Sequence, residues 1–303
     1  MNIIRSGLCF FGLALLISCS TKKPEKDFDL IAYEEEINHW HLSRADYLKS
    51  DSGWLNLAGL YWLKEGANTF GSDESNDLVF PKNKIPANAG LLLLRNGTVT
   101  LTALPGVEIF SNEKKIKSEV VYHPDSTKQP TLVHGSLRWF IIKRDNLFGV
   151  RLRDLTHKAV QEFHGIEHYA VDSGFRVEAT LESSTAKKID IANVLGQTTA
   201  QHSPGTLVFQ LNGKQFRLDA LIEGDELFMI FGDPSNENET YPSGRYMYVK
   251  KPGPDGKTIL DFNKAFNPPC AFTPFATCPL PPSQNILAIA ITAGEKNYKG
   301  YTH

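Results

Sequence analysis

The stretch Leu91-Leu92-Leu93-Leu94-Arg95-Asn96-Gly97-Thr98-Val99-Thr100-Leu101-Thr102 decides the fold. Two short apolar or β-branched runs meet at Asn-Gly, the dipeptide suited to a type I′ turn because both central residues need positive φ. It therefore reads as a hairpin, Leu91–Leu94 against Thr98–Leu104. Working outward, Val107–Phe110 and Lys115–Val121 form a second pair around Ser111-Asn112-Glu113, and Leu137–Lys143 and Gly149–Leu152 a third around Asp145-Asn146. No sustained helical period interrupts them, so residues 65–153 are predicted to form a β-sandwich.

A smaller antiparallel β region is predicted over residues 154–303. Phe175, Val177, Ala179 and Leu181 alternate as a half-buried strand should. Leu207–Leu211 and Gln215–Leu221 flank Asn212-Gly213, and Glu223-Gly224-Asp225 turns the chain into Leu227–Phe231. Tyr246–Val249 and Ile286–Ile291 are further strand candidates. Before the sandwich, over residues 31–64, Tyr33, Ile37, Trp40, Ala45 and Leu48 recur at helical steps, followed by an aromatic segment around Trp54 and Tyr61-Trp62. The fold class expected is mainly β with one N-terminal helix.

The first residues carry an address. Arg5 precedes an apolar run, Leu8–Ile17, which is too short for a bilayer span of about 20 residues. It ends in Leu16-Ile17-Ser18-Cys19, which resembles a lipoprotein processing site. Residues 1–18 are read as a signal peptide, Cys19 as the lipidated residue, and 19–30 as a tether. Acyl chains contribute about 0.8 kcal/mol per buried CH2 to membrane attachment. Ser20, where an Asp would signal inner-membrane retention, points to outer-membrane attachment facing the periplasm. The partner expected is thus the membrane, through the lipid.

With 32 basic and 34 acidic residues and a net charge of -2, the 303-residue chain has no Lys/Arg-rich block with which to displace counterions. Nucleic acid is not an expected partner. No Walker loop, dinucleotide-binding glycine turn or Gly-x-Ser-x-Gly elbow occurs, and no cofactor is expected.

Chemistry concentrates in Asp261–Cys278 and the Pro279-Leu280-Pro281-Pro282 that follows. Six of the 17 prolines fall between Pro268 and Pro282, which rules out a helix or central strand and leaves a stiff loop. Cys270 and Cys278 read first as a disulfide in an oxidising compartment. A metal site would need two further ligands, and a nucleophilic thiol a nearby base. Asp261, Asn263, Asn267, Asn285 and Glu295 flank the loop, with Tyr241 and Arg245 just before it. Arg245 would hold a carboxylate or phosphate, while Tyr241, Asn263, Asn267 and Asn285 would orient a ligand. Equally, loop Asx residues serve turns and Arg245 would pair with Glu295 or Asp261. His164 and His168, four apart around Gly165, are read as satisfied histidines rather than a metal pair.

Two resemblances follow from these residues. Gly66-Ala67-Asn68, Gly71, Leu78–Phe80, Ile85-Pro86, Gly90 and Leu132-Val133-His134-Gly135 resemble the order of events in a forkhead-associated (FHA) sandwich. That family grips phosphothreonine with loop Arg and Ser residues; here Ser72-Asp73-Glu74-Ser75 is acidic, so the resemblance implies fold alone. From about Trp54 onward the chain resembles the bacterial and archaeal domain-of-unknown-function family 1684. The resemblance rests on Gly53-Trp54-Leu55, Gly59-Leu60, Phe140–Arg144, Gly149-Val150-Arg151, Asp233, Thr240-Tyr241 and Gly244-Arg245. It continues through Leu260–Asn263, Asn267–Cys270, Thr277–Pro282, Asn285 and Ala293–Lys296. That family has no assigned activity, so it supplies signature residues and no mechanism.

The function expected is an envelope lipoprotein that binds a small polar or anionic ligand at the C-terminal loop. The alternatives are a hydrolase or lyase with Asp261 or Glu295 as general base, and a structural or assembly protein of the envelope.

Overall fold

The computed structural model describes residues 28–300; the signal segment, Cys19 and most of the tether lie outside the described residues. Helix α1 (Leu30–Lys49) begins at Asp29, whose carboxylate accepts from the Ala32 amide at 3.1 Å. Its buried residues, Tyr33, Ile37 and Leu48, lie on the face predicted from the spacing. Among the described residues no helix is long and apolar enough to cross a membrane.

Eleven strands then build the sandwich. They are β1 (Leu57–Trp62), β2 (Gly66–Gly71), β3 (Leu78–Val79), β4 (Gly90–Arg95), β5 (Thr98–Ala103) and β6 (Ile109–Ser111). The rest are β7 (Lys114–Ile116), β8 (Ser118–Tyr122), β9 (Leu132–His134), β10 (Leu137–Arg144) and β11 (Leu147–Asp154). One sheet runs β1-β11-β10-β9-β6-β7 and the other β3-β2-β4-β5-β8. Their inner faces enclose a core of Phe70, Phe80, Leu92, Leu101, Trp139, Val150 and Leu152. The Asn96-Gly97 turn is as predicted, with φ of 51° and 76°. The boundary expected at residue 65 cuts through this sheet, because β1 pairs antiparallel with β11. The aromatic segment thus supplies an edge strand as well as a packing surface for the helix.

After a short helix α2 (Lys158–Gln161), the second region contains β12 (Arg176–Ser183), β13 (Lys188–Ala192), β14 (Thr198–His202) and β15 (Gly205–Leu211). It continues with β16 (Lys214–Glu223), β17 (Glu226–Phe231), β18 (Arg245–Lys250) and β19 (Lys257–Asp261). Six of these form the sheet β18-β17-β16-β15-β12-β19, and β13 and β14 form a separate hairpin. The sheet curls until its edges meet: the Thr258 hydroxyl on β19 donates to the Lys250 carbonyl on β18 at 2.7 Å. One face packs against Phe262, Ala265, Leu287, Ile291 and Ala293 from the irregular C-terminal segment. The other packs against Ile189 and Ile191 of β13 and Phe266, with Trp40 of α1 at its margin.

Ile286–Ile291 is not a strand. Apart from a bridge between Ile286 and Gly232, it runs as irregular chain whose Leu287 and Ile291 plug the core. Leu48, Leu55, Ala159, Phe163 and Phe272 form a separate cluster at the seam between the two halves.

Candidate functional site

Most of the polar residues flanking the Pro/Cys loop bond inward. Arg245 is fully buried; its guanidinium donates to the carbonyls of Ala293 (2.5 Å) and Ile291 (2.7 Å) and pairs with Asp233 at 3.0 Å. Burial pulls the Arg245 pKa down while Asp233 opposes that shift. Gly244, at φ 86°, delivers it there; a Cβ would stand 2.5 Å from the Phe231 carbonyl oxygen.

Asn285 fills a gap between strands. β16 and β17 pair only from Leu221 to Glu223, and beyond that point they part. The Asn285 side chain donates to the Asp219 and Ile230 carbonyls, both at 2.9 Å, and accepts from the Asp219 amide at 2.7 Å. It therefore replaces the missing ladder bonds.

Asp261 and Asn263 fasten α1. The Tyr33 hydroxyl donates to Asp261 Oδ1 at 2.9 Å, and Asn263 Nδ2 donates to Tyr33 Oη at 2.9 Å and to the Asp172 carbonyl at 2.8 Å. Glu295 is fully buried, accepts from the Asn267 amide at 2.7 Å and pairs with Arg44 of α1 at 3.3 Å. Burial raises the Glu295 carboxyl above the usual range, and Arg44 opposes this. Asn267 donates to the Lys296 carbonyl at 2.7 Å. Tyr241 is half-buried, its phenol raised by burial. His164 is exposed, whereas His168 stacks on His41 with centroids 3.9 Å apart and planes within 4°.

Cys270 and Cys278 form a disulfide. It closes the loop against a cleft of about 720 Å3 between the sandwich, α1 and the second sheet. None of the seven polar residues singled out from the sequence lines this cleft. Its walls are Trp40, Arg44 and Tyr47 from α1, Trp54, Arg144 and Arg151 from the sandwich, Tyr246 and Tyr248 from β18, and Phe266 and Thr277–Pro279 from the loop.

Strand alternation explains the arginines. Val150 and Leu152 face the sandwich core, so Arg151 and Arg153 face outward, and Arg144 shares that face through its pairing with Leu147. Gly53 sets Trp54 beside them by passing so close to the end of α1 that a Cβ would stand 2.2 Å from the Leu48 carbonyl oxygen.

The three cleft arginines differ in their partners. Arg44 is neutralised by Glu295 and lies over the Phe266 ring at 4.6 Å. Arg144 donates to Thr277 Oγ1 at 3.2 Å, which ties the sandwich to the disulfide loop. Arg151 is 7% exposed, its side chain makes no ion pair or hydrogen bond among the described residues, and its buried Nε has no acceptor. The Trp54 ring lies 6.0 Å away, a neighbour of favourable sign. Burial, with Arg144 and Arg153 adding repulsion, pulls the Arg151 pKa down to about 10. Across the cleft Glu223 accepts from Tyr248, whose phenol is raised first by burial and then by that carboxylate. The sequence reading missed Arg144 and Arg151; the signal was Arg151-Leu152-Arg153, which puts two cations on one face of a strand.

Comparison with known proteins gives a family. The family described as "Protein of unknown function (DUF1684)" matches residues 161–296. An uncharacterized protein of Haloarcula marismortui, from gene locus rrnAC0354, is 32% identical over 45% of this chain and 78% of its own. The chain belongs to the DUF1684 family. The superposition on that solution structure has a TM-score of 0.38 and adds no argument to the sequence match. A phosphothreonine-dependent FHA domain (12% identity, 31% of this chain, 92% of its own, TM-score 0.23) and the FhaA FHA domain (12%, 31%, 97%, 0.22) are also similar, too weakly to carry an argument. No curated protein matches this DUF1684 chain.

Proposed function

We propose that this DUF1684 chain is a lipid-anchored envelope protein that binds a small anionic ligand in the cleft, with Arg151 and Arg144 as the anion contacts. The observation that carries the reading is the Arg151 guanidinium, buried with no partner of opposite charge among the described residues. A desolvated cation is costly, and proteins otherwise pair it or neutralise it. An incoming carboxylate or phosphate would supply the missing acceptor in bidentate form. The cleft falls within the roughly 300–1,000 Å3 range of small-molecule sites, and its aromatic lining with a few convergent polar groups fits that class. This site differs from the one expected from the sequence: its anion contacts are sandwich arginines, and the C-terminal loop contributes Phe266 and Thr277–Pro279 to its wall instead of Tyr241, Arg245, Asn263, Asn267 or Asn285. Envelope anchoring rests on the Leu16–Cys19 signal. Glu295 is buried in a pair with Arg44, and Asp261, which lines only the neighbouring cleft, accepts from Tyr33; their engagement within the chain favours binding over acid–base catalysis.

The test is native mass spectrometry of the full chain purified from envelopes in mild detergent. A non-covalent anionic adduct, lost on denaturation and absent from Arg151→Met, is the expected result. If neither chain carries an adduct, and inorganic phosphate and galacturonate leave both melting temperatures unmoved, the structural or assembly reading replaces this one.

A further inference from the structure

A second cleft of about 620 Å3 opens beside the first, and Trp40, Tyr248 and Phe266 line both. These rings are therefore a shared sill between two openings. Tyr248 is 41% exposed and stacks on Phe266 at 5.7 Å with planes 19° apart, so an aromatic step faces solvent between the clefts. Beyond the sill the lining changes to charges of both signs, among them Arg176, Glu226, Lys250 and Lys264.

We infer that the ligand is an acidic oligosaccharide, with its anionic group at Arg151 and Arg144 and its following rings laid over Trp40 and Tyr248 into the second cleft. The inference rests on the anion-site reading and extends it. A sugar ring has an apolar C–H face that packs on an aromatic face and a rim of hydroxyls that both donate and accept. An aromatic sill leading to acids and bases side by side matches that pattern, because carboxylates accept hydrogen bonds from hydroxyls and cationic groups donate to hydroxyl oxygens.

A peptide fits less well. An extended peptide would need a free strand edge, and the outer edge of β18 is already engaged on both sides of Tyr248. Tyr246 exchanges backbone bonds with Phe266 at 2.9 and 2.8 Å, and the Lys250 carbonyl accepts from Thr258. Recognition across the sill must come from side chains, which suits rings.

The experiment is calorimetric titration of the full chain in mild detergent with galacturonic acid and its α-1,4-linked dimer, trimer and tetramer. The trimer is expected to bind at least tenfold more tightly than the monomer. Ile259→Trp, which places a bulky ring in the second cleft, is expected to erase the gain from length. Arg151→Met is expected to lose all lengths together. If the monomer binds and length adds nothing, or if hexa-aspartate binds more tightly than the trimer, the oligosaccharide inference fails and the anion site stands. If no galacturonate binds but inorganic phosphate does, and Arg151→Met abolishes that binding, the oligosaccharide inference again fails alone. If neither probe binds, both readings fall.

Discussion

Replacing Arg151 with Met is expected to make the ligand-free protein more stable, the opposite of what deleting a buried structural residue does. In the fold, burial and two neighbouring arginines bring this guanidinium down from the ordinary arginine range to about 10. At pH 7 it is charged in both states, so the drop measures how much the fold disfavours the charge: about 3 kcal/mol at 1.36 kcal/mol per pKa unit. Methionine keeps most of the apolar stem and removes the charge. It forfeits the contact with Trp54, about 0.5–1 kcal/mol for a cation–π pair of this type. The net expectation is a gain of about 2 kcal/mol, a rise of roughly 3 °C for a chain of this size. The assay is urea and thermal unfolding of both proteins after denaturation and refolding to strip ligand. A destabilisation of 2 kcal/mol or more would show that Arg151 braces the fold through interior partners, and the argument for an anion site would collapse with it.

Three further outcomes are expected. Arg44→Ala should destabilise the fold by about 3–5 kcal/mol, because Glu295 would be left buried and charged without its partner; adding Glu295→Gln should recover much of the loss in urea unfolding. Cys270→Ser with Cys278→Ser should cost about 2.5 kcal/mol from loop-closure entropy, and a reducing agent should shift the wild-type urea midpoint by the same amount while leaving the double variant unmoved. His41 is held down to about 4 from 6.5, first by burial and then by His168, so the unfolded chain takes up this proton before the folded one does. Its contribution is complete above about pH 6.5 and is lost as pH falls toward 4. His41→Phe should flatten that part of the stability–pH curve, and an unchanged slope would exclude this histidine as its source.

Much of the fold was legible because hairpins announce themselves locally. Asn96-Gly97 and Asn212-Gly213 reveal both the turn and, through flanking alternation, the strands. β13 and β14 were not read: Thr198–His202 carries no large apolar residue, so nothing in it marks a buried face. Ile286–Ile291 misled in the opposite direction, since its apolar residues cap a core without a neighbouring strand to pair with. The polar residues of the Pro/Cys loop looked like ligand contacts because they crowd an aromatic segment. A segment without regular ladders must find hydrogen-bond partners for its backbone and its neighbours, and Asn263, Asn267, Asn285 and Glu295 supply them. The cleft was hidden for a different reason. Arg151 and Thr277 stand more than a hundred residues apart, and only packing of the sandwich against the loop puts them on one surface. What could be read was the arginine alternation on β11, a charged pair on the face turned away from a core.

The most direct test of the anion site is the Nε–Hε resonance of Arg151, followed by NMR in the isotopically labelled full chain as galacturonate is added. A saturable shift at Arg151 and Arg144, with Arg245 unmoved because it is paired with Asp233 and does not line the cleft, is the result expected. Arginine signals that all drift together without saturating, or an Arg151 signal that stays fixed while galacturonate binds elsewhere, would contradict the assignment of this cleft.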